Sequence, residues 1–180
     1  MLAPRMVATV SEKNSLEDTD ERYFYVYLTK NNAVSEQFRH TPQHITFIPP
    51  FFAAKQDVIK IAEDTAKNFK SLNVRLGRHT AFGSKKDIPV ILIRPTKALN
   101  DIHLALISGL KVKKIDIYSI YKGQFINNEF IPHITLKDFH PKLDATKPLT
   151  IDHIAVMYKY KNIKTIIAKF MFRGWNEAAA

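Results

Sequence analysis

The sequence predicts an α+β fold built from two similar halves, and three observations predict it. Aromatic and β-branched runs bounded by turn residues recur along the chain. Two stretches instead carry apolar residues at spacings of three and four, the mark of amphipathic helices. One tetrapeptide pattern, His-Ile-Thr followed by a large apolar residue, occurs once in each half.

The elements follow in order. Residues 1–21 hold a short apolar patch and then turn acidic, and are expected to form an N-terminal arm. Tyr23-Phe24-Tyr25-Val26-Tyr27-Leu28 is a strand, and the polar stretch from Lys30 to Pro42 is a loop. A second strand runs from His44 to Ile48, where Pro49-Pro50 is expected to stop it. Val58, Ile61, Ala62, Thr65, Phe69 and Leu72 share one side of a helix spanning about 53–72. Strands at 74–82 and 88–94 flank the turn-like Gly83-Ser84-Lys85-Lys86-Asp87. Leu99, Ile102, His103, Leu106 and Leu110 line a second helix over 96–110. Strands at 130–137, 149–158 and 165–172 complete a domain expected to cover 22–175, with 176–180 as a frayed tail.

Composition narrows the function. With 46% hydrophobic and 24% charged residues, the 180-residue chain can bury a core. It has no cysteine, which excludes thiolate metal sites, disulfides and cysteine nucleophiles. Five glycines leave little room for a phosphate-binding Gly-rich loop. The net charge of +10 and pI near 9.7 favour polyanionic partners. The basic residues are dispersed, as on one face of a folded domain. No apolar run is long enough to cross a bilayer, so a cytoplasmic monomer without a membrane partner is expected.

The repeated tetrapeptide carries the chemistry. Side chains alternate along a strand, so in His44-Ile45-Thr46-Phe47 the His and Thr share one face and Ile45 and Phe47 the other. His133-Ile134-Thr135-Leu136 repeats the arrangement. If the halves pack around an approximate two-fold axis, two imidazoles and two hydroxyls converge on one cleft. In-line displacement at phosphorus needs a base for the attacking oxygen and an acid for the leaving one, and two imidazoles can supply both without a metal. The hydroxyls can donate to the non-bridging oxygens as charge grows there. Which histidine is base and which acid stays open at this point.

These motifs resemble the paired His-x-Thr-x signatures of the two-histidine phosphoesterase superfamily, in particular its 2′-5′ RNA ligase-like and cyclic phosphodiesterase branch. His44-Ile45-Thr46-Phe47-Ile48-Pro49-Pro50-Phe51 is similar to the first signature with its Pro-Phe turn, and Phe130-Ile131-Pro132-His133-Ile134-Thr135-Leu136 to the second. Pro89-Val90-Ile91-Leu92-Ile93 is similar to a central strand, and Ile102-His103-x-x-Leu106 to the helix before the second motif. The resemblance spans about 23–172 and implies a bilobal, pseudo-two-fold arrangement of two mainly antiparallel sheets with flanking helices around a central cleft. It also implies metal-independent catalysis by His44, Thr46, His133 and Thr135, with no cofactor. Expected substrates are RNA ends or small cyclic or 2′-5′-linked nucleotides, including 2′,3′-cyclic phosphates. A non-catalytic RNA- or nucleotide-binding module is the alternative.

Among the remaining residues, Lys137 continues the 133–135 face and is a candidate phosphate contact. Tyr25 and Phe51 are candidate stacking surfaces for a base, with core packing as the competing role. His40, a loop residue beside the first motif, is a candidate for the rim of the cleft, with plain solvation the stronger reading. His79 and His103 read as structural, while His140 and His153 have no partner at ligand spacing, so no metal is expected.

Overall fold

Tyr23, Tyr25 and Tyr27 point one way and Phe24, Val26 and Leu28 the other, yet all six are buried. A strand apolar on both faces belongs in the middle of a covered sheet, and β1 (Arg22–Leu28) takes that place. The structure, a computed structural model, describes residues 21–117 and 130–173. Nearly all of the expected N-terminal arm, and the expected tail, lie outside them.

The remaining elements are β2 (Gln37–Phe38), β3 (His44–Phe51), α1 (Lys55–Ala66), β4 (Leu72–Val74), β5 (Leu76–Phe82) and β6 (Ile88–Ile93). After them come α2 (Lys97–Val112), β7 (His133–Thr135), β8 (Leu149–Ile151), β9 (His153–Tyr160) and β10 (Ile163–Met171). Eight strands form one open, antiparallel sheet in the order β2-β10-β9-β1-β3-β7-β6-β5, and β4 pairs with β8 in a small separate ribbon. The two halves meet at β3 and β7, where Ile45 lies opposite Ile134.

The halves are not consecutive in the chain. β9 and β10 return to pair beside β1, so the first half is built from both ends of the described chain and the second from β5, β6 and β7. A linear reading of element order does not contain that return, because it depends on pairings more than a hundred residues apart.

Both helices pack on one face. Val58, Ile61, Leu99, Ile102 and Leu106 join Tyr25, Ile45, Phe47 and Ile134 in the main core. Each such side chain contributes roughly 1.5–3 kcal/mol on burial. The helices approach closely at Gly109, where an added Cβ would stand 2.7 Å from Ile61. Thr96 caps α2 by accepting from the Leu99 N–H at 3.1 Å. On the opposite face Phe24, Val26, Leu28, Ala155, Met157 and Ile166 form a second, smaller cluster.

Several boundaries differ from expectation. Pro49 and Pro50 do not stop β3, which continues to Phe51. The register slips between Tyr23↔Phe51 and Tyr25↔Ile48 and again before Val26↔Thr46, so bulges absorb residues that cannot donate to the ladder. α1 ends at Ala66, with Phe69 turned against Phe172 rather than continuing the helix. The strands expected at 74–82 and 149–158 each belong to two elements, because β4 and β8 leave the large sheet to pair with each other. β7 is shorter than the expected 130–137.

Candidate active site

The site grows from one cross-strand pair. Ile45 and Ile134 are both wholly buried, and their side chains point into the helix-side core. The residues flanking them must therefore face the other way. His44 pairs with Leu28 and Thr46 with Val26, members of the smaller cluster, so His44 and Thr46 lie on that second face. On β7, His133 pairs with Leu92 and Thr135 with Val90. The antiparallel register, carried one residue either way from Ile45↔Ile134, sets His44 opposite Thr135 and Thr46 opposite His133. Two strands thus bring the four side chains together as a quadrilateral on an open face.

The two imidazoles are held alike. His44 Nδ1 donates to the Pro42 carbonyl at 2.6 Å, and His133 Nδ1 donates to the Ile131 carbonyl at 2.8 Å. Each ring is tied to the backbone two residues before it. A carbonyl only accepts, so Nδ1 carries hydrogen in both rings, and Nε2 is the nitrogen left to take up or release a proton. Among the described residues, neither Nε2 nor the hydroxyls of Thr46 and Thr135 have a hydrogen-bond partner.

The rings differ in surroundings. Burial, the largest influence, pushes the His44 pKa down to about 4. Its bond to Pro42 works in the opposite direction, and the charges of His133, His140 and Lys137 lower it further. His44 is therefore neutral at neutral pH. His133 stands edge-on to Phe82, with ring centroids 4.7 Å apart.

Lys137 lies just beyond the end of β7 and is exposed, its Nζ 5.5 Å over the Phe139 ring. Its charge acts on His44. Tyr25 and Phe51 are not there. Both are wholly buried on the helix side, their rings 5.5 Å apart, and the Tyr25 hydroxyl donates to the Val58 carbonyl at 2.9 Å. Odd-numbered positions of β1 face the core, and the bulges in β3 place Phe51 opposite Tyr23 on that same side. No base can stack on either ring.

Two histidines matter beyond the motifs. His140 sets Nδ1 at 3.3 Å from the Thr135 carbonyl and Nε2 at 3.3 Å from the Thr41 carbonyl. It ties the second motif to the loop before the first. Beside it, Gln43 Nε2 donates to the Pro141 carbonyl at 3.2 Å. The contacts to Thr41 and from Gln43 join residues about a hundred positions apart, so no sequence signal announces them. His103 lies behind the first motif, its Nδ1 donating to the Phe47 carbonyl at 2.8 Å and its ring stacked on Phe130 at 4.1 Å. Burial lowers its pKa, as befits a neutral structural ring.

Among the described residues, no group of three or more histidine or carboxylate side chains is placed to hold a metal ion. No helix there is long and apolar enough to cross a membrane. A cavity of about 540 Å³ is lined in part by Arg78, Arg94 and Ile131, the residue whose carbonyl holds His133.

Residues 28–160 match the family described as the 2′-5′ RNA ligase superfamily. No curated protein matches the sequence closely enough to be reported as a relative. Among solved structures, the fold is similar to TT0787 of Thermus thermophilus, with a TM-score of 0.53 and 18% identity over 86% of this chain and 100% of that one. It is also similar to Escherichia coli LigT complexed with 3′-AMP, with a TM-score of 0.53 and 11% identity over 85% and 98%. A structure described as a phosphoesterase matches at 0.53 and 11%, over 84% and 98%. At these identities the likeness is one of fold.

Proposed function

The chain belongs to the 2′-5′ RNA ligase superfamily, a superfamily of enzymes, and from that premise we propose that it is a metal-independent phosphoesterase hydrolysing 2′,3′-cyclic phosphate or 2′-5′ phosphodiester bonds. The observation that carries the reading is the matched pair of Nδ1–carbonyl bonds, which leaves both Nε2 atoms available on one face beside two free hydroxyls. His44, held neutral, is the base. It takes a proton from water as the water oxygen bonds to phosphorus. The phosphorus–oxygen bond to the ribose breaks on the opposite side, and His133, in its charged form, gives its Nε2 proton to that oxygen. Thr46 and Thr135 donate to the non-bridging oxygens, where charge accumulates. One proton enters and one leaves, so the histidines need only exchange a proton with solvent to reset. The nucleotide in the E. coli LigT complex, 3′-AMP, is of the class that opening a 2′,3′-cyclic phosphate would leave.

The test is product analysis with a panel of 2′,3′-cyclic and 2′-5′-linked nucleotides in the presence of EDTA. Turnover of at least one is expected. Activity abolished by EDTA and restored by zinc or manganese would overturn the mechanism. Binding without turnover of any of them would favour the non-catalytic module.

A further inference from the structure

Phe139 is 59% exposed, whereas the other large aromatic side chains among the described residues are mostly packed away. Its surroundings are those of a binding surface. The His40 ring lies 5.2 Å from it, and the Lys137 ammonium sits over its face. Phe139 forms one wall of a groove of about 440 Å³, whose other wall is the 37–43 segment with Arg39 and His40. Among the described residues, no carboxylate lines that groove.

More positive charge converges on it from the sheet. Lys164 Nζ donates to the Arg39 carbonyl at 2.9 Å, and Lys164 pairs directly with Lys159 across β9 and β10. Burial first, then the charges of Lys159 and Lys137, hold the Lys164 ammonium below its usual range. None of Lys137, Lys159 and Lys164 forms an ion pair among the described residues. Like charges gathered around an exposed ring, with none of these three lysines ion-paired among the described residues, suit a ligand that is both anionic and flat. The groove is also joined to the proposed reaction centre: Pro42, in its wall, holds His44, and the Lys137 charge that sits over Phe139 also acts on His44.

We propose that this groove is a second nucleotide subsite, so that the protein takes a single-stranded RNA rather than a free mononucleotide. The reacting phosphodiester lies between His44 and His133. The neighbouring base stacks on Phe139, and the phosphate beyond it is held by Arg39 and Lys164. Such an arrangement combines an aromatic platform with a cationic track, as sequence-tolerant single-strand binding requires. The assignment of the reacting end rests on the proposed function, but the groove's affinity for a strand does not.

The test is therefore equilibrium binding, by fluorescence anisotropy competition, of an unreactive five-nucleotide RNA ending in a 3′-phosphate against the corresponding 3′-mononucleotide. The RNA is expected to bind at least tenfold tighter. Phe139→Ala should weaken the RNA by roughly 5- to 150-fold, the effect of one lost stacking contact, and leave the mononucleotide unchanged. Phe139→Trp should restore it. An Arg39→Gln/Lys164→Gln double variant should flatten the slope of log K against log salt by roughly 0.7, one single-strand phosphate contact. Equal affinities for the two ligands, or Phe139→Ala binding the RNA as the wild type does, would overturn the subsite. A wild type that binds RNA in this pattern but hydrolyses nothing would overturn the proposed reaction alone. Turnover with length-independent binding would overturn the subsite alone.

Discussion

Ile45 and Ile134 lie opposite each other at the junction of the two halves, wholly buried, and the two histidines and two threonines of the repeated motif stand one residue to either side of them. Because the pair is pinned in the helix-side core, the alternation of the strands aims His44, Thr46, His133 and Thr135 at the other face. The four motif side chains therefore sit on rigid strands without filling the core. Replacing His44 or His133 by Ala should lower turnover by roughly 10²–10⁴-fold, the usual worth of a general acid or base. The thermal midpoint at neutral pH should stay close to that of the wild type, as measured by circular dichroism. A His44→Ala protein with full turnover would end the paired role.

Tyr25 offers the complementary control. Its ring is wholly inside, and its hydroxyl donates to the Val58 carbonyl of α1. Tyr25→Phe should destabilise the fold by about 1 kcal/mol in denaturant titrations, the net value of one buried hydrogen bond. KM and kcat for any substrate the enzyme turns over should not change. A rise in KM alone would put the ring back in the substrate's path.

How much of this could be read beforehand follows from which forces are local. Strand alternation is local, so the shared face of His44 and Thr46, and of His133 and Thr135, follows from the order of residues alone. The helix periodicities of α1 and α2 are local too, and only their ends moved, where Phe69 found Phe172. The direction in which Tyr25 and Phe51 point was not accessible in this way. β1 is apolar on both sides, so composition does not say which side meets the helices, and the bulges that turn Phe51 inward depend on pairing with β1. His140 was invisible for a stronger reason: its two partners, Thr135 and Thr41, approach only after the halves have joined.

His140 is a positioning residue on this geometry. Both of its nitrogens face carbonyl oxygens, one in the second motif and one in the loop that leads to the first. His140→Ala should separate those two segments and misplace His44 relative to Thr135. A loss of roughly tenfold or more in kcat, with little change in KM, is expected if alignment rather than binding suffers. His140→Gln, which can still reach one carbonyl, should recover part of it. An unchanged kcat together with a lowered melting temperature would reduce His140 to a purely structural latch.

The asymmetry between the two imidazoles sets the pH behaviour. Burial lowers the His44 pKa to about 4, against about 6.5 for an imidazole in the unfolded chain. A base must be neutral to accept a proton, so kcat/KM, which reports the free enzyme, should hold well below pH 6.5 and fall only as pH approaches 4. Bound phosphate favours the charged ring, so the acid limb of kcat should lie at higher pH than that of kcat/KM. The same shift acts on stability. Its sign is that of a depressed pKa: the unfolded chain binds the proton first. The contribution is complete above about pH 6.5 and is lost as pH falls through that value toward 4. The loss should reach no more than about 3 kcal/mol. His103, also depressed by burial, adds in the same direction. Denaturant unfolding of the wild type and of His44→Ala at pH 7 and pH 4.5 isolates the His44 share, since only the wild type carries it. The wild type should lose more stability than the variant between the two values. Equal losses, together with an acid limb of kcat/KM at or above 6.5, would show that His44 is an ordinary solvated imidazole and would pass the role of base to His133.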